Sequence, residues 1–79
     1  MTIGYAVEFR GEIDIRTVGH SEVAAAVNWL CGGTLPPLDR ILVLDGTSDE
    51  QVMDWFSERA ERYGAKMAKV HVSVLDYVE

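Results

Sequence analysis

The chain has 79 residues, with 13 acids against 7 bases and a net charge of −6. That length allows one domain, and a composition that is 48% apolar and 9% aromatic excludes a disordered tail. The acidic balance argues against direct nucleic-acid binding, which requires phosphate neutralisation, and favours a basic protein partner or simple solubility.

The opening stretch, MTIGYAVEFRGEIDIRTV, reads as a β-hairpin. Apolar residues alternate at Ile3, Tyr5, Val7 and Phe9, and again at Ile13 and Ile15. Directly opposed residues share a face of the sheet. A two-residue turn at Arg10-Gly11 pairs Phe9 with Glu12 and Val7 with Asp14, which mixes core and solvent residues. A three-residue loop, Phe9-Arg10-Gly11, pairs Val7 with Ile13 and Tyr5 with Ile15 and puts Gly11 where a G1 bulge needs positive φ. The alternation therefore predicts the three-residue loop. It places Glu8 opposite Glu12 on an exposed face, with Asp14 and Arg16 further along. That acidic face is either a solvated surface or a patch kept for a basic partner.

Gly19-His20-Ser21 turns the chain into a helix with Ser21 as N-cap and Glu22 at the positive end of the dipole. Val23, Val27 and Leu30 form its apolar stripe, Ala24, Ala25 and Ala26 allow close approach to the sheet, and Gly32-Gly33 stops it. Trp29 points away from that stripe, either covering the edge of the core or lying on the surface. Gly32 to Leu38 is an irregular connection, because Pro36 and Pro37 forbid helix; its leucines pin it against the fold. Ile41-Leu42-Val43-Leu44 reads as a short strand or core-packed extended segment, apolar on both faces. Something has to cover its second face, either the chain itself or a second copy.

The second helix has the clearest boundaries. Thr47 with Glu50, and Ser48 with Gln51, both fit a capping box, and Gly64 is a left-handed terminator. Val52, Phe56, Ala60 and Tyr63 make the buried stripe, flanked by Met53 and Trp55. The opposite face carries Glu50, Asp54, Glu58 and Glu61, with Arg62 able to offset Glu58. From Met67 to about Leu75 the chain alternates again, with Ala68, Val70, Val72 and Val74 on one face and Lys69, His71 and Ser73 on the other. The order β-β-α-β-α-β predicts a single α+β domain over residues 1–79, a mostly antiparallel sheet with two helices on one face.

No pattern of catalysis or ligation emerges. With only His20, His71 and Cys31 as soft ligands, no zinc site forms. Asp45 to Glu50 lacks the glycine and distal glutamate of an EF-hand, and helix capping explains it. Gly32-Gly33 precedes proline rather than the lysine of a phosphate loop. The reading is a non-enzyme with no cofactor and no metal. A lone cysteine allows no intrachain disulfide, no apolar run approaches the roughly 18 residues of a membrane span, and MTIGYAVEF lacks a basic leader; the expectation is a cytoplasmic protein without membrane contact.

Tyr5-Ala6-Val7-Glu8, Gly11-Glu12-Ile13, Arg16-Thr17-Val18 and Ala25-Ala26-Val27-Asn28-Trp29-Leu30 resemble the opening of small phage and prophage proteins, among them anti-CRISPR inhibitors of type I systems, type I-C in particular. The resemblance covers about the first 30 residues, together with size and acidity. It implies a bacterial-host cytoplasmic inhibitor that binds protein subunits of the type I CRISPR surveillance complex and blocks its use of target DNA. It carries over no catalytic residue. The candidate partner-binding residues are the hairpin acids Glu8, Glu12 and Asp14 and the helix acids Asp54, Glu58 and Glu61. The alternative is a small acidic phage or host adaptor for another basic protein, monomeric or homodimeric.

Overall fold

The computed structural model describes residues 2–72. Strands β1 (Thr2–Phe9) and β2 (Glu12–Gly19) lead into helix α1 (Glu22–Leu30). A 3-10 turn at Pro37–Asp39 and an irregular stretch precede helix α2 (Asp49–Tyr63), and strand β3 (Lys66–Val72) follows. The fold is α+β. Its antiparallel sheet has the order β2-β1-β3, so β1 is paired on both sides. The predicted extension of the last strand beyond Val72, with Val74, lies outside the described residues.

The helix boundaries follow from the cap residues. Ser21 Oγ accepts from Ala24 N–H at 3.1 Å and Ser48 Oγ from Gln51 N–H at 3.1 Å, each satisfying an orphan donor of the first turn. Gly64 ends α2 in the left-handed conformation, φ 72°.

The hairpin departs from its predicted register. Phe9 pairs with Glu12, Glu8 with Ile13 and Val7 with Asp14. The loop is therefore the two-residue turn Arg10-Gly11, with φ of 55° and 82°. Positive φ at both positions is the type I′ turn, whose twist matches that of the strands it joins. Val7 faces the core, so this register carries Asp14 inward and Ile13 outward; Ile13 is 41% and Ile15 80% exposed. The exposed Glu8–Glu12 pair and the buried Ile13 and Ile15 of the longer loop are thus both corrected.

The register is held by a break further along β2. Tyr5 pairs with Gly19, so Ile15 to Val18 together oppose Ala6 alone. Thr17 fills the gap with its side chain. Its hydroxyl accepts from Val7 N–H at 2.8 Å and donates to Asp14 C=O at 2.6 Å, standing between two groups that an unbroken ladder would join directly. Thr17 is fully buried. The Asp14 carboxylate, also buried, accepts from Arg16 N–H (3.1 Å), Arg16 Nε–H (3.3 Å) and Thr34 N–H (2.8 Å).

α1 packs against the sheet through Ala25, Ala26, Trp29 and Leu30, a face rotated from the predicted Val23/Val27/Leu30 stripe. The reason is proximity. A Cβ on Gly19 would lie 2.8 Å from Ala24 Cβ, so only small residues fit between helix and strand. The rotation puts Trp29 in the centre of the core, fully buried, rather than at its edge. Its ring meets Phe56 edge-on at 5.6 Å and Phe9 at 6.4 Å, and its Nε1–H donates to Thr34 Oγ1 at 2.9 Å. α2 adds Val52, Phe56 and Ala60 to this core, on the same side of the sheet as α1. Met67, opposite Val7, contributes from β3, whereas Ala68 and Val70 oppose Ala6 and Gly4 on the far face.

Ile41–Leu44 lies between the helices but does not join the sheet. Ile41 N–H is tied to Leu30 C=O at 2.8 Å, which holds the segment at the end of α1 rather than at an outer edge of the sheet. Ile41 and Val43 pack on the core while Leu42 and Leu44 are 77% and 66% exposed. In the preceding loop Leu35 is buried and Leu38 is exposed, so one leucine, not both, pins that connection.

Thr17→Val keeps the shape of the side chain and removes the bridging hydroxyl. It leaves a buried N–H and C=O unpaired and is expected to cost about 2 kcal/mol, with Thr17→Ser retaining most of that stability. Urea unfolding followed by Trp29 fluorescence measures both; equal midpoints for Thr17→Val and the parent chain would show that the bridge contributes nothing.

Candidate functional site

The described residues contain no group of three or more His, Cys, Asp or Glu side chains able to hold a metal ion. His20, His71 and Cys31 are exposed. Asp14 and Thr17, buried and polar, bond within the fold, and among the described residues no buried side-chain nitrogen or oxygen lacks a partner. An apolar pocket of about 150 Å³ lies at one end of the sheet, among Thr2, Gly4, Val18, His20 and Val72. Among the described residues it has one titratable lining residue, His20, and no convergent pair for acid–base chemistry.

The three hairpin acids do not form one surface. Asp14 is inside the protein, its side chain 3% exposed. Its carboxylate anchors the Gly33-Thr34 corner, and a Cβ on Gly33 (φ 61°) would stand 2.6 Å from Asp14 Oδ2. Only glycine allows that approach. Glu8 lies on the sheet face away from the helices, between Ile13 on one neighbouring strand and Lys66 on the other. Glu12 pairs with Phe9, on the helix-facing side beside the turn. The predicted acidic hairpin face is therefore replaced by two separated carboxylates and one buried one. The parity of the pairing decides this, and it follows from the two-residue turn.

The α2 acids stay together. Glu50, Asp54, Glu58 and Glu61 are all exposed, on the side of the helix opposite Val52, Phe56 and Ala60. Glu58 has basic neighbours, Arg59 Nη1 at 2.8 Å and Arg62 Nη2 at 3.9 Å. Among the described residues Glu50, Asp54 and Glu61 have no ion-pair partner.

The bases of α2 are directed elsewhere, toward a residue that sequence reasoning did not single out. Asp39, in the 3-10 turn, accepts from Arg62 Nη1 at 2.8 Å and from the Tyr63 hydroxyl. Arg59 Nε donates to Asp39 C=O at 2.7 Å. Arg40 closes the same loop on itself, donating to Leu35 C=O at 2.8 Å and to Gly33 C=O at 3.3 Å. The last two turns of α2 thus clamp the proline loop. The bonds span 20 to 24 positions, so no local pattern marks them. Arg62 is thereby paired with the Asp39 carboxylate, whereas Arg59, bonded to the neutral Asp39 carbonyl, keeps its ion pair with Glu58. The hydrogen bond from Tyr63, and next the charge of Arg62, hold the Asp39 carboxyl below its ordinary pKa. The same bond raises the pKa of Tyr63, and Asp39 raises that of Arg62.

No family model matches the chain, and no curated protein or solved structure is found to be similar to it.

The direction of the Asp39 shift gives a pH dependence. A carboxyl with a depressed folded pKa contributes stability that is complete above its unfolded value and disappears as the pH falls through the folded one. Asp39→Asn is therefore expected to be less stable than the parent chain at neutral pH and to converge with it below the ordinary aspartate range. The difference in urea midpoint between the two, followed from pH 7 downward, reads this; a difference that does not shrink with acid would place the stabilisation outside the Asp39 charge.

Proposed function

We propose that this chain is a non-enzymatic inhibitor that binds a type I CRISPR surveillance complex, type I-C in particular, through the acidic outer face of α2 and blocks its use of target DNA. The observation that carries the reading is the exposed line Glu50, Asp54, Glu58 and Glu61, of which only Glu58 has a basic neighbour among the described residues. The resemblance of the first 30 residues to small phage inhibitors supplies the identity of the partner. Such complexes hold nucleic acid in basic channels, and a rigid row of carboxylates suits sites built for phosphates. In this reading the chain acts in the cytoplasm of the bacterial host, touches protein subunits and not nucleic acid, and needs no cofactor. Of the candidate contacts, Asp54, Glu58 and Glu61 form the primary surface. Glu8 and Glu12 are peripheral to it, and Asp14 acts through the fold.

The test is co-purification with a type I-C surveillance complex, followed by a target-DNA binding assay. The chain is expected to bind and to inhibit, with affinity falling as ionic strength rises. Asp54→Lys/Glu58→Lys/Glu61→Lys is expected to weaken binding by roughly tenfold or more, with an unchanged circular dichroism spectrum, while Glu8→Lys/Glu12→Lys changes little. Binding that survives reversal of the α2 strip sinks the electrostatic interface, and no binding by the parent chain sinks the proposed partner.

A further inference from the structure

We infer that Ile41–Leu44 is a self-association edge, through which two copies of this chain pair antiparallel about a two-fold axis. The segment is apolar throughout, lies outside the sheet and alternates half-buried Ile41 and Val43 with exposed Leu42 and Leu44. That is the period of an extended chain, and Arg40 enters it with extended φ and ψ of −72° and 151°. Its main chain is open on one side. Ile41 N–H points to Leu30 C=O, so by alternation the N–H and C=O of Leu42 point away from the end of α1. Among the described residues Leu42, Val43 and Leu44 N–H have no hydrogen-bond partner, and Leu44 C=O has Thr47 N–H at 3.2 Å. Open main-chain groups flanked by exposed leucines are a template for another strand.

The charges select a second copy and its orientation. The segment is bracketed by Arg40 and Asp45, both exposed. Antiparallel pairing brings the Arg40 end of each copy to the Asp45 end of the other, whereas parallel pairing sets like charge against like. A two-fold axis through the ladder keeps inner faces with inner faces. Leu42 then pairs with Leu44 of the second copy, and Val43 with its own equivalent. The register centred on Leu42 instead would set Asp39 against Asp45. The ridge itself bears no charge, so two chains of −6 meet at a neutral segment away from the α2 strip.

Area sets the strength. Full burial of a leucine removes roughly 100 Å² of apolar surface, so Leu42 and Leu44 of two copies, side by side on the outer face, give at most about 400 Å², a third of the smallest stable interface. The dimer is therefore weak, with a dissociation constant on the order of millimolar, and reversible.

The experiment is sedimentation equilibrium of the full chain from micromolar to millimolar concentration, with reductant, in the Cys31→Ser background so that oxidation of Cys31 plays no part. A monomer–dimer equilibrium is expected, strengthening with added salt as the like net charges are screened, opposite to the binding of a basic partner by the α2 strip. Leu42→Asp/Leu44→Asp is expected to raise the dimer dissociation constant by roughly tenfold or more while the circular dichroism spectrum is retained. Val43→Cys in the same background places two thiols across the axis at a non-hydrogen-bonded position, where Cα atoms about 4.5 Å apart suit a disulfide, and is expected to cross-link on mild oxidation. A parent chain that stays monomeric throughout, or a dimer untouched by the leucine variant, overturns the proposal. A dimer that forms without Val43→Cys cross-linking overturns the two-fold register.

Discussion

The buried carboxylate of Asp14, together with the hydroxyl of Thr17, is the constraint on which the rest of the fold depends. Taking an ionised carboxyl out of water costs several kcal/mol unless its lone pairs are filled. Here Arg16 and Thr34 fill them. Thr17 then closes the gap between Val7 and Asp14 that the irregular strand leaves open. These bonds fix which face of β2 looks inward. They also bring the Gly33-Thr34 corner beneath Trp29, whose indole N–H reaches Thr34. The aromatic centre of the core, Trp29 with Phe9 and Phe56, is assembled around that corner.

The second organising contact is the grip of α2 on the proline loop. Arg59, Arg62 and Tyr63 converge on Asp39 from consecutive turns of one helix. The arrangement separates the charges of a helix that is mixed in sequence. Arg59 and Arg62 reach both the loop and Glu58, and the other acids of the outer face stand apart from them. Structure and surface electrostatics are therefore linked. The loop that gives α2 its C-terminal anchor also leaves Glu50, Asp54 and Glu61 without a partner among the described residues.

Leucines 42 and 44 stand apart from both networks. The segment that holds them is apolar enough for a central strand, but its first N–H is bonded to the end of α1 and it lies outside the sheet. Its neighbour Asp45-Gly46 turns the chain into the Ser48 cap, so the segment stays on the outside of the domain with one row of side chains inward and one outward. Acidic strip and leucine ridge present different chemistry. The strip is attracted to positive charge and weakened by salt. The ridge is neutral and strengthened by whatever screens the net charge of the chain.

What the sequence by itself determined are the features set within one turn or one strand. Ser21 and Ser48 cap because a hydroxyl there meets an N–H three positions on, and Gly64 terminates because it alone takes positive φ at no cost. The α+β class and the outward row of α2 acids follow from hydrophobic period in the same local way. Only the tertiary structure decided the hairpin parity, the burial of Asp14, the central place of Trp29 and the exclusion of Ile41–Leu44 from the sheet. Each is a competition between partners far apart in the chain. Asp14 can go inside because Thr34, 20 positions away, supplies an N–H to receive it, and then Ile13 and Ile15 have to face out. Alternation alone assigns the isoleucines to the core, since a pattern of hydrophobicity carries no record of which buried polar group will find its donors.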